Sequence, residues 1–246
     1  MLSSQTQTGS PASADLDRCR AYLAYQADHP KRPSATGVWP PPGPAITLSP
    51  QTGAGADQIA RQLAALLQQG EPKGCAPWTV FDRQLAERVL EEHHLPKSLA
   101  KLMPEDRRSY LDDVLDEVVG LRPPSWDLVP KLIQTVMHLA DAGNVILVGR
   151  GASFATAGMP NVFHVRLIAS LAKRIERVQQ RENLSPKEAA RLIAKTDRGR
   201  DRYVKAYFHA RRDDDQQYHL ILNTDRIPPA KAAEVIASAA RICFEN

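Results

Sequence analysis

The stretch Ala45-Ile46-Thr47-Leu48-Ser49-Pro50-Gln51-Thr52-Gly53-Ala54-Gly55-Ala56-Asp57 decides the fold. Ala45–Ser49 is a short apolar run, the mark of a buried strand. Thr52–Gly55 is a turn of small residues. Asp57–Gln68 reads as a helix with Ile59, Leu63, Leu66 and Leu67 on one face. A strand that enters a helix through small residues lets backbone N–H groups approach an anion. The partial positive charge of the helix N-terminus adds to that attraction.

The same alternation continues outward. Trp78–Phe81 and Asn144–Val148 read as strands, the latter ending at Gly149-Arg150-Gly151. Asn161–Leu167 and Tyr218–Leu222 complete the set. Helices are expected at Arg83–His93, Leu99–Met103, Glu105–Val119, Ser125–Ala142, Leu171–Glu182 and Ala230–Cys243. Ser185-Pro186-Lys187-Glu188 opens a further helix, with Ser as N-cap, Pro at the first position and Glu at the third. Short apolar strands alternating with helices indicate a parallel sheet covered on both faces. Ligands bind such sheets at the carboxyl ends of the strands. The residues of interest are therefore 50–57, 82–88, 149–151 and 223–226.

Before this pattern the chain differs in character. Residues 1–14 are Ser/Thr/Gln-rich without apolar periodicity and are expected to be disordered. Asp15–Tyr25 suggests one short helix, with Leu16, Cys19, Tyr22 and Leu23 on one side. Residues 28–44 hold six prolines and read as a linker, so a domain boundary is expected near 44.

Composition narrows the function. The 246 residues are 43% hydrophobic, enough for one sizeable core, and only 6% aromatic, so aliphatic packing must carry that core. Lys+Arg is 32 against 28 Asp+Glu, a mild surplus of 4 that suits a protein handling anions. No apolar run is long enough to span a membrane and no secretory leader is readable. The 3 cysteines form neither a zinc pattern nor a disulfide framework, and a cytoplasmic setting is expected.

Charge is concentrated late in the chain. Residues 166–212 contain 14 Lys/Arg against 5 Asp/Glu. Arg174, Arg177 and Arg181 recur at intervals of three and four and so share a helix face. Arginine pairs bidentately with phosphate and keeps its charge. Arg150 ends a buried strand between two glycines, where the sheet would present it to a ligand. Asp82 also follows a strand, as a helix cap or a ligand contact. His93-His94 point to different helix faces and read as surface residues. His164 alternates with apolar residues on its strand and reads as packed or hydrogen-bonded. Asp213–Asp215 read as a charged loop ending a helix.

The turn itself departs from the phosphate-loop pattern GxxxxGK[ST]. With Gly55 as the second glycine, the lysine falls on Ala56, the hydroxyl on Asp57 and the first glycine on Pro50. The ammonium that would meet β- and γ-phosphates is missing.

Ile46–Ala60, Pro77–Leu85, Val145–Ala152, Asn161–Leu167, Arg174–Arg177, Thr196–Tyr203 and Leu222–Arg226, in that order and spacing, resemble the cytidylate kinase-like family of P-loop nucleoside monophosphate kinases. The resemblance covers Ala45 to the C-terminus. It implies a three-layer α/β/α domain over 45–246. A mostly parallel five-stranded sheet would form its centre, with a helical insertion at about 83–142 and a small lid at about 183–217. It implies transfer of the ATP γ-phosphoryl to a nucleoside monophosphate such as CMP, with Mg²⁺. Carried over, Gly53, Ala54, Gly55, Ala56 and Asp57 would hold the donor phosphates, with Asp57 as the one candidate Mg²⁺ contact. Asp82 and Arg88 would face the acceptor nucleotide, and Arg150 its phosphate. Arg174 would be a lid arginine. Arg200, Asp201 and Arg202 would lie near acceptor and lid. Arg150, Arg174, Arg200 and Arg202 are the expected catalytic arginines, and an arginine would replace the absent lysine.

Two other readings are open. A degenerate loop suits a module that binds a nucleotide or another phosphorylated small molecule without turnover and engages a protein partner through the N-terminal arm. Nucleic-acid binding through 166–212 is disfavoured, because aromatics there are confined to Tyr203, Tyr207 and Phe208 and the net charge is low.

Overall fold

The computed structural model describes residues 11–29, 41–72, 74–82 and 128–245. The expected helices at Arg83–His93, Leu99–Met103 and Glu105–Val119, together with Arg88 and His93-His94, lie outside the described residues.

Five parallel strands form one sheet: β1 (Ala45–Pro50), β2 (Thr79–Phe81), β3 (Val145–Val148), β4 (Val162–Ile168) and β5 (Leu220–Asn223), in spatial order β2-β3-β1-β4-β5. All six residues of β1 are buried, as befits a central strand covered on both faces. Its register pairs Leu48 with Val148 on one side and Ser49 with Arg166 on the other. The last strand begins at Leu220 rather than Tyr218, because Tyr218 caps a short 3₁₀ turn (Asp215–Gln217) opened by the Asp214 side chain.

Helices cover both faces. Helix α1 (Pro11–Asp28) precedes the sheet; α2 (Ala56–Gln68), α3 (Leu128–Ala142), α4 (Ala152–Ala155), α5 (Leu171–Glu182), α6 (Pro186–Phe208) and α7 (Pro229–Phe244) follow in chain order. On one face α2 buries Ile59, Ala60, Leu63, Ala64 and Leu67 against Ile46, Leu48, Val165 and the α7 residues Ala233, Ile236 and Ala240. On the other, Val136 and Ala140 of α3 and Ala152 of α4 pack on Ala45, Val145, Leu147 and Val162.

Helix α1 corrects the expectation for the N-terminus. Residues 11–14, expected to be disordered, are its first turn, and it runs three residues past Tyr25. Tyr22 and Cys19 are fully buried on the second face, Tyr22 donates to Gly143 O at 2.9 Å, and its ring meets Phe81 edge-on at 5.7 Å. Burying one such side chain contributes about 2 kcal/mol to docking this helix on the sheet. The end of the Pro-rich segment is anchored too: Asn144 N donates to Pro44 O at 2.7 Å, and Asn161 Nδ2 donates to Gly43 O at 2.6 Å.

The capping box read from sequence at the start of α6 is present in full. Ser185 Oγ accepts from Glu188 N, and the Glu188 carboxylate accepts from Ser185 N at 2.9 Å. His164 is buried as expected, 2.8 Å from Thr47 Oγ1, and stacks on His219. Burial and the neighbouring His219 lower its pKa to about 4. Among the described residues no helix is long and apolar enough to cross a membrane.

Candidate functional site

The turn Gln51–Gly55 leaves the carboxyl end of β1 and feeds α2. Gly53 and Gly55 take left-handed backbone, φ +83° and +82°. Gly55 is the N-cap of α2, and no side chain caps it. Ala54 and Ala56 are buried in the core and offer only their backbone to a ligand. Asp57, in the first turn of α2, pairs with Arg181 Nη1 at 3.1 Å.

The α5–α6 hairpin lies over this turn. Gly53 sits so close to α5 that an added Cβ would stand 2.7 Å from Arg174 O. Arg174, Arg177 and Arg181 face the turn together, as their spacing predicts. Arg174 Nη1 donates to Asp197 at 2.6 Å and reaches Thr52 O at 3.4 Å. Arg177 donates to Gly53 O at 3.4 Å and to Thr224 Oγ1 and O at 2.9 and 2.8 Å. Arg200, on α6, donates to Pro50 O at 3.1 Å and Thr52 Oγ1 at 3.3 Å. Burial, and then the nearby Arg212, bring its pKa down to about 10.

Asp197 is the hub of this cluster, and sequence reasoning missed its role. One carboxylate oxygen accepts from Thr52 N at 3.0 Å and Thr52 Oγ1 at 2.8 Å, while the other takes Arg174. Burial works against its charge, but the hydrogen bonds from Thr52 and Arg174 win, and its pKa lies below the ordinary carboxylate value. Arg212, 7% exposed, joins it through Asp197 O at 3.2 Å and also donates to Asp201 at 2.6 Å. Arg166, buried on β4, donates to Ser49 O at 3.3 Å and lies over the Tyr218 ring at 5.8 Å. Its one sequence signal was an arginine inside an apolar strand. Thr52 and Thr224 fall in the strand-end segments 50–57 and 223–226 and Arg212 in the basic segment 166–212, but the sequence assigned none of the three a role.

The other expected residues are placed along the same sheet edge. Gly149 N donates to Leu48 O at 2.9 Å, so the turn carrying Arg150 lies directly beside the β1 turn. Gly149, Arg150 and Gly151 all have positive φ, at +74°, +53° and +68°. Asp82 follows β2, one strand further out, and is half-buried. Arg200 and Arg202 do not converge: two residues apart on α6, they lie on different faces, and Arg202 is exposed. Asp201 is held by Arg212 rather than by the turn.

Strand order, the glycine turn between the first strand and its helix, and arginines drawn from a helical hairpin over that turn define a P-loop kinase fold. The match to the Cytidylate kinase-like family spans residues 45–226, and the chain belongs to that family. It is 28% identical over 171 residues to a cytidylate kinase of Methanopyrus kandleri, covering 65% of this chain and 86% of that one. It is also 31% identical over 86 residues to a uronate isomerase of Corynebacterium glutamicum, where the match covers 35% of this chain and only 16% of that protein. A crystal structure of an uncharacterized protein from Eubacterium ventriosum superposes with a TM-score of 0.57 at 17% identity, covering 80% of this chain and 98% of that one.

Proposed function

We propose that the protein is a small kinase that moves the γ-phosphoryl of ATP to a nucleoside monophosphate, CMP being the acceptor the family suggests. The observation that carries this reading is the laying of Arg174, Arg177, Arg181 and Arg200 along one glycine turn at the N-terminus of α2. Phosphoryl transfer is mainly positioning and charge neutralisation, which convergent guanidinium groups supply. In the transfer an acceptor phosphate oxygen bonds to the γ-phosphorus as the bond to the β,γ-bridging oxygen breaks, and ADP leaves. The N–H groups of Gly53–Asp57 face the donor phosphates. Arg150, and Asp82 beyond it, face the acceptor along the adjoining strand ends. The α5–α6 hairpin serves as the lid.

Mg²⁺ would accompany the donor and is usually held by phosphates, water and one or two carboxylates. The carboxylates at the turn do not suit it: Asp197 is held by Thr52 and Arg174, and Asp57 is paired with Arg181.

A second reading, binding without turnover, is favoured by one observation. The N–H and hydroxyl of Thr52 are already satisfied by Asp197, and no lysine stands at position 56. A partner of the N-terminal arm would then meet the outer face of α1, because the inner face is packed on the sheet. ADP release measured against a panel of nucleoside monophosphates separates the readings. Release that requires an acceptor, and that falls at least ~10²-fold in Arg150→Ala, supports the kinase. Nucleotide binding with no acceptor-dependent release supports the module.

A further inference from the structure

We infer that Arg181 supplies the cation that Ala56 lacks, and that Asp57 acts as the positioning residue that holds it at the turn. This rests on reading Gly53–Asp57 as the seat of a triphosphate.

Helix α5 is keyed to the turn rather than loosely draped over it. Gly53 has no side chain, and its backbone lies against Arg174 more closely than any Cβ would permit. The first turn of α5 therefore fixes where its later residues fall. From there the arginine partners advance along the loop: Arg174 to Thr52 O, Arg177 to Gly53 O, and Arg181 to the Asp57 carboxylate.

The three arginines are not equivalent. Arg174 is 12% exposed and committed to Asp197. Arg177 is tied to both polar atoms of Thr224. Arg181 is 50% exposed and stands at the first turn of α2, where the helix dipole also acts. Its Nε donates to Glu182 at 2.8 Å and its Nη1 to Asp57. A guanidinium carries five donors in a rigid fork. It can keep Asp57 on one arm and turn Nη2 to a phosphate, which an ammonium cannot do with the same geometry.

The carboxylate at position 57 would otherwise oppose a triphosphate. An exposed pair of this kind contributes little to fold stability, so stability does not explain it. Paired with Arg181, Asp57 no longer presents a bare negative charge and instead orients the fork.

The test is calorimetric titration of ATP and AMP onto the full chain, in EDTA and in Mg²⁺, for the unaltered protein, Arg181→Ala, Arg181→Lys and Asp57→Asn. Both side chains are half exposed, and the ligand-free melting midpoint checks folding. Arg181→Ala should weaken ATP about ten- to hundred-fold, the worth of one or two charged hydrogen bonds, and change AMP less than about twofold. Arg181→Lys, which keeps the charge but not the fork, should lose part of that. Asp57→Asn should weaken ATP in EDTA as well as in Mg²⁺. An unchanged ATP affinity in Arg181→Ala overturns the inference and leaves the nucleotide reading standing. So does tighter ATP binding in Asp57→Asn, the sign expected if the carboxylate only repels phosphate. A loss in Asp57→Asn confined to Mg²⁺ makes Asp57 a metal ligand and also overturns it. No ATP binding by the unaltered protein overturns the nucleotide reading and the inference together.

Discussion

Two glycine turns stand side by side at the carboxyl edge of the sheet, and they solve the same problem differently. The turn after β1 has no cation of its own, and its charge is brought by arginines more than a hundred residues later in the chain. The turn after β3 carries Arg150 within it, on a left-handed backbone that few non-glycine residues adopt. The cations at the first are gathered by tertiary contact; the second carries its cation within Gly149-Arg150-Gly151. A cation can therefore be placed at a strand end locally or by tertiary assembly, and only the local kind is visible as a motif.

The comparison is broken most forcefully at Asp197. Asp197→Ala leaves Arg174 and Arg212 partly buried without their shared carboxylate and should cost about 3 kcal/mol, read as a lower denaturant midpoint. Its lowered pKa gives the same linkage a pH signature. Stability from Asp197 is fully present above the ordinary carboxylate value of ~3.9 and is lost as pH falls through the lower folded value. Once each curve is normalised at pH 7, stability should therefore fall more with acid in the unaltered protein than in Asp197→Asn, which has no carboxylate to protonate.

Next in size is Gly53→Ala. The new Cβ meets backbone of α5 at 2.7 Å on a left-handed residue, so α5 and the turn must separate. The expected loss is about 2 kcal/mol, and α5 should become more susceptible to proteolysis. Gly151→Ala probes the second turn against aromatic side chains instead. Its Cβ would stand 2.7 Å from Phe208 Cε2 and 3.0 Å from Tyr203 Cε1. Rings can shift where backbone cannot, so about 1–2 kcal/mol is expected, with a change in tyrosine fluorescence. The smallest effect belongs to Gly149→Ala, where nothing lies within 4 Å of the added atom. Only the left-handed backbone is penalised, at about 1 kcal/mol. A loss at Gly149 equal to that at Gly53 would show that backbone conformation alone governs both turns.

Much of the frame was legible. Helix α5 begins and ends where its pattern of apolar and charged residues does, at Leu171 and Glu182, and Ser185-Pro186-Lys187-Glu188 specified the cap of α6 through local bonds. Short apolar runs such as Val145–Val148, three of whose four residues are buried, mark the strands, which were readable to within two residues. The start of α1 was not, because Pro11–Ala14 has no apolar stripe. That helix is held by Tyr22 on Gly143 and Phe81, contacts with partners far along the chain. Within the site, the arginine face of α5 was readable from its spacing, while the pairing of Asp57 with Arg181 was not.

By itself the sequence determined the alternation of strand and helix, the glycine turn between β1 and α2, and the excess of arginine in the last third. Those are properties of near neighbours, encoded in periodicity, caps and small residues. The tertiary structure alone decided that Asp197 would join Thr52 to Arg174, that Arg166 would be buried beneath the turn, and that Arg200 but not Arg202 would face it. Each depends on which strand ends the fold brings together, and in a parallel sheet residues adjacent in space are separated in the chain by whole crossovers.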